Sequence, residues 1–219
     1  TDVSVTRMPG SVFRDLLRRG FIERDPSAII GRVSYKKHVR GVFTEADLRS
    51  LFAEIPGPWG DLQGYVAFQL AATCGLRRGE VLALRWRHID LSKAVLRVEE
   101  AWKDTFTTGE PKWGQVRSVC LTAGAVAALQ RLRKASEHVL PAGLVFCDAE
   151  GSRRGEQWWQ GRFTAAMKAK KVDAAGRNLS PHSFRHTLAT LWREKGIADP
   201  LIKAALGWSE GSPTIEDYS

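Results

Sequence analysis

The alternation of apolar and polar positions divides the chain into helical and extended stretches. Val12, Phe13, Leu16 and Leu17 recur at helical spacing and predict a short helix from Ser11 to Gly20, which Arg24-Asp25-Pro26-Ser27 then follows as a break. This segment reads as the tail of a preceding unit. A basic linker, Arg32 to Arg40 with Lys36, Lys37 and His38, leads to Gly41, where the main domain begins. Thr44 and Asp47 there form a capping box ahead of Leu48, Leu51 and Phe52. Asp61 to Gly75 predicts a largely buried helix with a glycine stop, and Arg77 to Trp86 a second helix with Val81, Leu82 and Leu84 pointing inward. The period changes between Ala94 and Thr122. Val95, Leu96 and Val98 precede a loop rich in Thr, Gly and Pro, and Val116, Val119 and Leu121 mark a returning strand, so a small antiparallel sheet is expected. Helical spacing resumes from Thr122 to Leu140, through Val126, Leu129 and Leu132, with Pro141 beyond its end. Leu144 to Phe146 is read as one more short strand. Gln157 to Lys171, His182 to Lys195 and Leu201 to Leu206 are read as helices. No internal repeat or low-complexity tract is found. The expected fold class is α+β, a mainly α-helical domain with a small antiparallel β-sheet.

Charge adds a partner class to this picture. The 219 residues carry 33 Lys+Arg against 24 Asp+Glu, a formal net charge of +9, which points to a polyanion. Hydrophobic residues at 43% and charged residues at 26% are globular values, so general disorder is not expected. Cys74, Cys120 and Cys147 are odd in number, widely separated and lack a Cys-x-x-Cys pair. Neither a disulfide framework nor a cysteine zinc site is indicated, and a reducing, intracellular setting is expected. The longest nearly apolar stretch, Tyr65 to Leu76, is interrupted by Gln69 and falls short of the roughly 20 residues of a membrane-spanning helix. No secretory signal opens the chain. It starts at Thr1 rather than Met, which reads as trimming from a larger protein.

The strongest local chemical signal is Ser180-Pro181-His182-Ser183-Phe184-Arg185-His186. Ser180 suits an N-cap and Pro181 the first helical position, which puts His182 and Arg185 on one face of the first turn. Unpaired N–H groups and the positive dipole end favour an anion there, and an imidazole and a guanidinium complete a phosphate site. The plainer alternative is a packed His182 and an Arg185 paired with a surface carboxylate. An HxxxH zinc reading of His182 with His186 lacks the intervening Glu and a third ligand. A second basic cluster, Cys74-Gly75-Leu76-Arg77-Arg78-Gly79-Glu80, places Arg77 and Glu80 on one helix face, where the carboxylate orients the guanidinium or simply forms a surface ion pair. Lys112 lies in Glu110-Pro111-Lys112-Trp113-Gly114, the turn that enters the returning strand. Leu206-Gly207-Trp208 and the near-terminal Tyr218 complete the set.

Taken in order, these pieces resemble the catalytic domain of the tyrosine recombinases, the phage integrase family. Thr73-Cys74-Gly75-Leu76-Arg77-Arg78-Gly79-Glu80 is similar to the family's first arginine block, with Glu80 at its acidic position. His182-Ser183-Phe184-Arg185-His186 is similar to the block that supplies the histidine and second arginine. Leu206-Gly207-Trp208 is similar to the Leu-Gly-His/Trp block. Pro111-Lys112 followed by Arg117 and Leu121 resembles the hairpin that carries the family's lysine, with Lys103 a competing candidate. Tyr218 falls where the nucleophile is expected, although the ten-residue step from Trp208 is one longer than usual.

The resemblance implies the DNA breaking-rejoining fold over residues 41–219, with 1–40 the remnant of a core-binding domain plus linker. It implies a site-specific recombinase or integrase of a phage or other mobile element, in which Tyr218 attacks a phosphodiester and leaves a 3′-phosphotyrosyl intermediate. Arg77, Arg185 and the Trp208 N–H would hold the phosphate, His182 would assist proton movement, and Lys112 would protonate the leaving 5′-oxygen. Glu80 and His186 would support. Double-stranded DNA would be the partner, with a homo-tetramer on DNA and a monomer for this chain alone. No cofactor, metal or ATP would be needed, and the setting would be cytoplasmic and nucleoid-associated, without a membrane. By the same resemblance, a C-terminal segment that docks on a neighbouring subunit would be expected beyond Ser219. A type IB topoisomerase and a non-catalytic DNA-binding protein of the same fold remain alternatives.

Overall fold

The apolar positions of the sequence become two bodies in a computed structural model that describes residues 12–26, 41–102, 108–109 and 116–208. The chain divides into compact units Thr1–His38 and Val39–Ser219. In the first, residues 12–18 form helix α1. Gly20, at φ 74°, ends it by letting the Phe21 N–H reach the Leu16 carbonyl at 2.9 Å and its own N–H reach Leu17 at 3.1 Å.

The second unit opens as its sequence predicts. The Thr44 hydroxyl accepts from the Asp47 N–H at 3.1 Å, the Asp47 carboxylate accepts from the Thr44 N–H at 2.8 Å, and helix α2 runs Glu45–Phe52. Asp61 caps α3, Leu62–Thr73, by accepting from the Gly64 N–H at 2.7 Å. Tyr65, Val66, Ala67, Phe68, Leu70 and Ala71 are all buried, so α3 is apolar around most of its circumference and lies at the centre of the core. Helix α4 is Arg78–Leu82, α5 is Ala123–Ala135, α6 is Glu156–Ala169, α7 is Ser183–Glu194 and α8 is Asp199–Leu206. Helices α5 and α7 pack on α3, and α8 packs on α7.

An aromatic cluster fills the space around α3. Trp59 stacks on Phe68 at 4.3 Å, Phe68 on Trp159 at 4.1 Å, and Phe43 on Phe184 at 4.2 Å. The Phe43 N–H also donates to the Thr187 hydroxyl at 2.8 Å, so the start of the unit is tied to α7. Strands β1 (Ile89–Asp90), β2 (Val95–Val98) and β5 (Arg117–Cys120) form an antiparallel sheet in the order β1-β2-β5, with Val95 opposite Cys120 and Val98 opposite Arg117. Strands β3 (Ala101–Trp102) and β4 (Thr108–Gly109) make a separate antiparallel pair. The α+β class, with helices dominant and one small antiparallel sheet, is what the periodicity predicts.

Several boundaries differ from the sequence reading. The helix expected over Arg77 to Trp86 stops at Leu82, because Arg85 is extended and bridges Leu144. The Trp86 N–H donates to the Gly143 carbonyl at 3.1 Å and the Val145 N–H to Leu84 at 2.9 Å. The same bridge replaces the strand expected at Leu144 to Phe146. Helix α5 ends at Ala135 rather than Leu140, as Ser136 turns extended and the His138 carbonyl accepts from the Trp86 indole at 3.0 Å. The returning strand starts at Arg117 and not at Val116, which precedes it and is exposed. Helix α8 starts two residues before Leu201, with Pro200 in its first turn.

The short helical turn Trp86–His88 buries one titratable group. The His88 side chain is 2% exposed, and its Nδ1 accepts from the Arg85 N–H at 3.2 Å. Arg85 and Arg87 both reach Glu100, at 3.2 and 2.6 Å. Burial pushes the imidazole below its ordinary 6.5, and the opposing pull of Glu100 and Glu99 does not restore it. A depressed folded value means that stability is fully present above about pH 6.5 and is lost as pH falls toward the folded pKa, because the unfolded imidazole takes the proton first. Urea midpoints measured at pH 7.5 and 5.5 should show that loss in the parent and a smaller one in His88→Gln; equal losses would contradict it.

Candidate phosphodiester site at the end of helix α8

Helix α8 ends in a glycine cap that leaves part of its carbonyl set unused. Gly207 takes the left-handed conformation at φ 62°, its N–H donates to Ala204 at 3.1 Å, and the Trp208 N–H donates to Lys203 at 2.9 Å. The next three carbonyls then accept from three arginines that arrive from different parts of the chain. Arg117 Nε donates to Ala205 at 3.2 Å, Arg185 Nη2 donates to Leu206, and Arg77 Nη2 donates to Gly207 at 2.7 Å. The negative end of the helix dipole thus faces three cations.

One carboxylate joins the group. Glu80, in the first turn of α4, accepts from the Arg77 N–H at 2.9 Å and from Arg77 Nη1 at 2.8 Å. Both of its oxygens also accept from Arg117, at 3.0 and 2.8 Å, a bidentate pair in which neither side chain is more than 8% exposed. Burial opposes ionisation of Glu80, but hydrogen bonds and charge from Arg117, then from Arg77, outweigh it and hold the carboxyl below its ordinary range. Arg185 is 1% exposed. Burial, then the charges of Arg77 and Arg117, lower its pKa, against the pull of Glu80. Three guanidiniums facing one carboxylate leave the cluster cationic, and Arg185 Nε has no acceptor among the described residues. Such an arrangement has the planar, multi-donor chemistry that suits an anion.

Close packing places Arg185. Its Nη1 donates to the Gly75 carbonyl at 2.5 Å, where Gly75 follows α3 at φ 62°. A Cβ on Gly75 would lie 2.4 Å from Leu206 Cδ2 and 3.2 Å from Leu188 Cδ2, so glycine serves both the backbone and the approach of α8. The Arg185 guanidinium also lies over the Trp208 ring at 5.4 Å.

The structure brings Arg77, Glu80, Arg185 and Trp208 together around the end of α8. His182 and His186 pack edge to face at 4.7 Å, with His186 buried and 6.5 Å from the Trp208 ring. His182 is itself the N-cap of α7; Ser180 does not cap it, and the Ser183 hydroxyl instead accepts from the Ser180 N–H at 3.1 Å. The anion donors here are therefore side chains and not a Ser180-capped helix terminus. Among the described residues no group of three or more His, Cys, Asp or Glu is placed to hold a metal. All three cysteines are free thiols, and burial pushes that of Cys74 up to about 11. Lys112, Lys103 and Tyr218 lie outside the described residues. Arg117 is the member that sequence reasoning missed as a site residue. The signal was its parity with Val119 and Leu121, which puts an arginine on the inward face of a strand, where a buried acid must meet it.

Gly75→Ala should lose stability by more than about 1 kcal/mol, the cost of a left-handed alanine, with a further 1–3 kcal/mol or so from overpacking against Leu206. Denaturant unfolding at neutral pH checks this, and a variant as stable as the parent would contradict it.

Residues 42–219 match the sequence model of the Phage integrase family. The tyrosine recombinase XerD of Pseudomonas aeruginosa is 30% identical over 209 residues, which cover 92% of this chain and 65% of that protein. The prophage integrase IntR of Escherichia coli is 22% identical, over 95% of this chain and 54% of that protein. This chain therefore spans about two thirds or less of these curated relatives. In fold, it superimposes on the Tn1549 transposon integrase in complex with circular intermediate DNA with a TM-score of 0.75 at 21% identity, covering 98% of this chain and 73% of that one. A lambda integrase dimer bound to a COC′ core site gives 0.71 at 20% identity, over 98% and 71%. No described helix is long and apolar enough to cross a membrane. With a family match over more than three quarters of its length, and the arginine blocks gathered at one helix end, the chain belongs to the phage integrase family of tyrosine recombinases.

Proposed function

We propose that this chain is the catalytic part of a site-specific DNA recombinase that cuts and rejoins double-stranded DNA through a covalent 3′-phosphotyrosyl intermediate. The observation that carries the reading is the convergence of Arg77 and Arg185 on one helix end, in a cluster with excess positive charge and a buried Nε donor to spare. A pentacoordinate phosphoryl transition state gathers negative charge on its non-bridging oxygens, and pre-oriented guanidiniums stabilise that charge without reorganising. Trp208, with its ring against Arg185, would hold that group and offer its indole N–H as a further donor.

Tyr218 supplies the nucleophile in this reading. A free phenol has a pKa of about 10 and is almost wholly protonated at neutral pH, so attack needs a neighbouring cationic site and a proton acceptor. His182, next to the arginines in sequence, would assist that proton, with His186 and Glu80 supporting. Lys112, or failing it Lys103, would protonate the departing 5′-oxygen. The phosphotyrosyl ester conserves the bond energy of the phosphodiester, so rejoining by a 5′-hydroxyl needs no ATP, and the arginines and lysine provide the positive charge that a metal would otherwise bring.

The remaining assignments belong to the same proposal. Residues 41–219 form the catalytic domain and 1–40 the end of a core-binding domain with its linker. The full protein would act as a homo-tetramer on DNA in integration or excision of a phage or other mobile element, at the nucleoid, while the present chain would be monomeric. The net charge of +9 supports duplex binding that weakens steeply with salt.

Incubation with a nicked suicide duplex in EDTA should give a protein–DNA band that survives denaturing electrophoresis. Tyr218→Phe should abolish that band while duplex binding stays nearly intact; a persistent band would assign another nucleophile, and a binding parent without a band would make this a binding module. Arg185→Ala should slow adduct formation by about 2.7–4 kcal/mol of transition-state stabilisation, as for loss of an oxyanion donor, with a smaller effect on affinity. A loss confined to affinity would make Arg185 a binding group only.

A further inference from the structure

Arg117 stands apart from the other two guanidiniums in what its nitrogens touch. Nη1 and Nη2 each meet one oxygen of Glu80, at 3.0 and 2.8 Å, and Nε meets the Ala205 carbonyl at 3.2 Å. Its side chain is 8% exposed and that of its partner 1%. Every nitrogen of Arg117 thus faces a protein acceptor, whereas Arg185 keeps a buried Nε without one among the described residues. Glu80 is the shared element. Its Oε1 accepts from Arg77 Nη1 as well as Arg117 Nη1, and its Oε2 accepts from the Arg77 N–H as well as Arg117 Nη2. A fork of two parallel donors fixes the plane of a carboxylate, which a single ammonium cannot do. The plane of that carboxylate in turn sets the direction in which Arg77 points.

We infer that Arg117 is a positioning residue: acting through Glu80 it fixes the Arg77 guanidinium, and through Ala205 it locks strand β5 to the end of α8. The packing at Gly207 agrees with this, since a Cβ there would lie 3.0 Å from Arg117 Nη1 and 3.3 Å from its Cδ and Cζ. Strand β5 begins at Arg117, five residues after Lys112 in the sequence, so the same contact ties the start of that strand to the arginine cluster. The inference rests on the recombinase reading only for what Arg77 then does to a phosphate.

The test uses the parent chain, Arg117→Lys, Glu80→Gln and the double variant, each checked for a folded state by circular dichroism and thermal unfolding. The first readout needs no DNA chemistry: guanidinium resonances of ¹⁵N-arginine-labelled protein, with Arg77 assigned by its loss in Arg77→Lys. Arg117→Lys keeps the charge but not the fork, and should shift or broaden the Arg77 signal. Glu80→Gln should do the same from the other side of the contact, and Arg117→Gln takes the place of Arg117→Lys should the latter not fold. An unchanged Arg77 signal in a folded variant overturns the inference. The second readout is the single-turnover rate of adduct formation set against duplex affinity. The expected result is a fall of about tenfold or more in rate with affinity within about threefold, and a double variant no slower than the slower single variant, as for residues acting through one contact. Losses that multiply, or an affinity loss equal to the rate loss, would instead make Arg117 a direct phosphate contact. A parent that forms no adduct defeats the recombinase reading, while the resonances still decide the position of Arg77.

Discussion

The carbonyl oxygens at the end of α8 allow three guanidiniums to share one partly buried pocket. Cations held together away from water repel one another and lose hydration, so each needs acceptors that are already in place. The left-handed cap at Gly207 uses the carbonyls of Lys203 and Ala204 and leaves those of Ala205, Leu206 and Gly207 for Arg117, Arg185 and Arg77. The partial negative charge of a helix C-terminus adds to this. Among the described residues Glu80 is the one carboxylate in hydrogen-bond contact with these guanidiniums, so they outnumber it three to one.

The rest of the unit holds that arrangement rigidly. Phe184 precedes Arg185 and is locked in the aromatic cluster against Phe43, so the register of α7 is set by a core contact one residue from that guanidinium. Gly75 turns the chain out of α3 so that its carbonyl meets Arg185, and two residues later the backbone reaches Arg77. Packing and chemistry therefore share the same turns. Small substitutions at Gly75 or Gly207 would move guanidiniums as well as backbone.

Much of the fold was legible because local chemistry and tertiary structure agree. Thr44 with Asp47, Asp61 ahead of an apolar run, and Gly20 after α1 are caps whose bonds are made within a few residues. The errors arose where distant partners compete. Arg85 leaves helical geometry to bridge Leu144, and the Trp86 N–H reaches Gly143, both nearly sixty positions away, and no window of local sequence contains that pairing. Within the site, Arg77, Glu80, Arg185 and Trp208 were readable as motif blocks. The carbonyls that hold them were not, since backbone acceptors have no sequence signature. Arg117 was readable in principle from its parity with Val119 and Leu121 on β5.

In the proposed reaction Arg77 and Arg185 together grip one phosphorus centre. A crystal structure of the chain on a nicked duplex carrying orthovanadate in place of the cleaved phosphate tests it most directly. The account predicts vanadate oxygens within about 2.7–3.2 Å of guanidinium nitrogens from both arginines, with the Glu80 to Arg117 pair unbroken beneath them. Vanadate bound by neither arginine, or by Lys and backbone groups elsewhere on the surface, would contradict it.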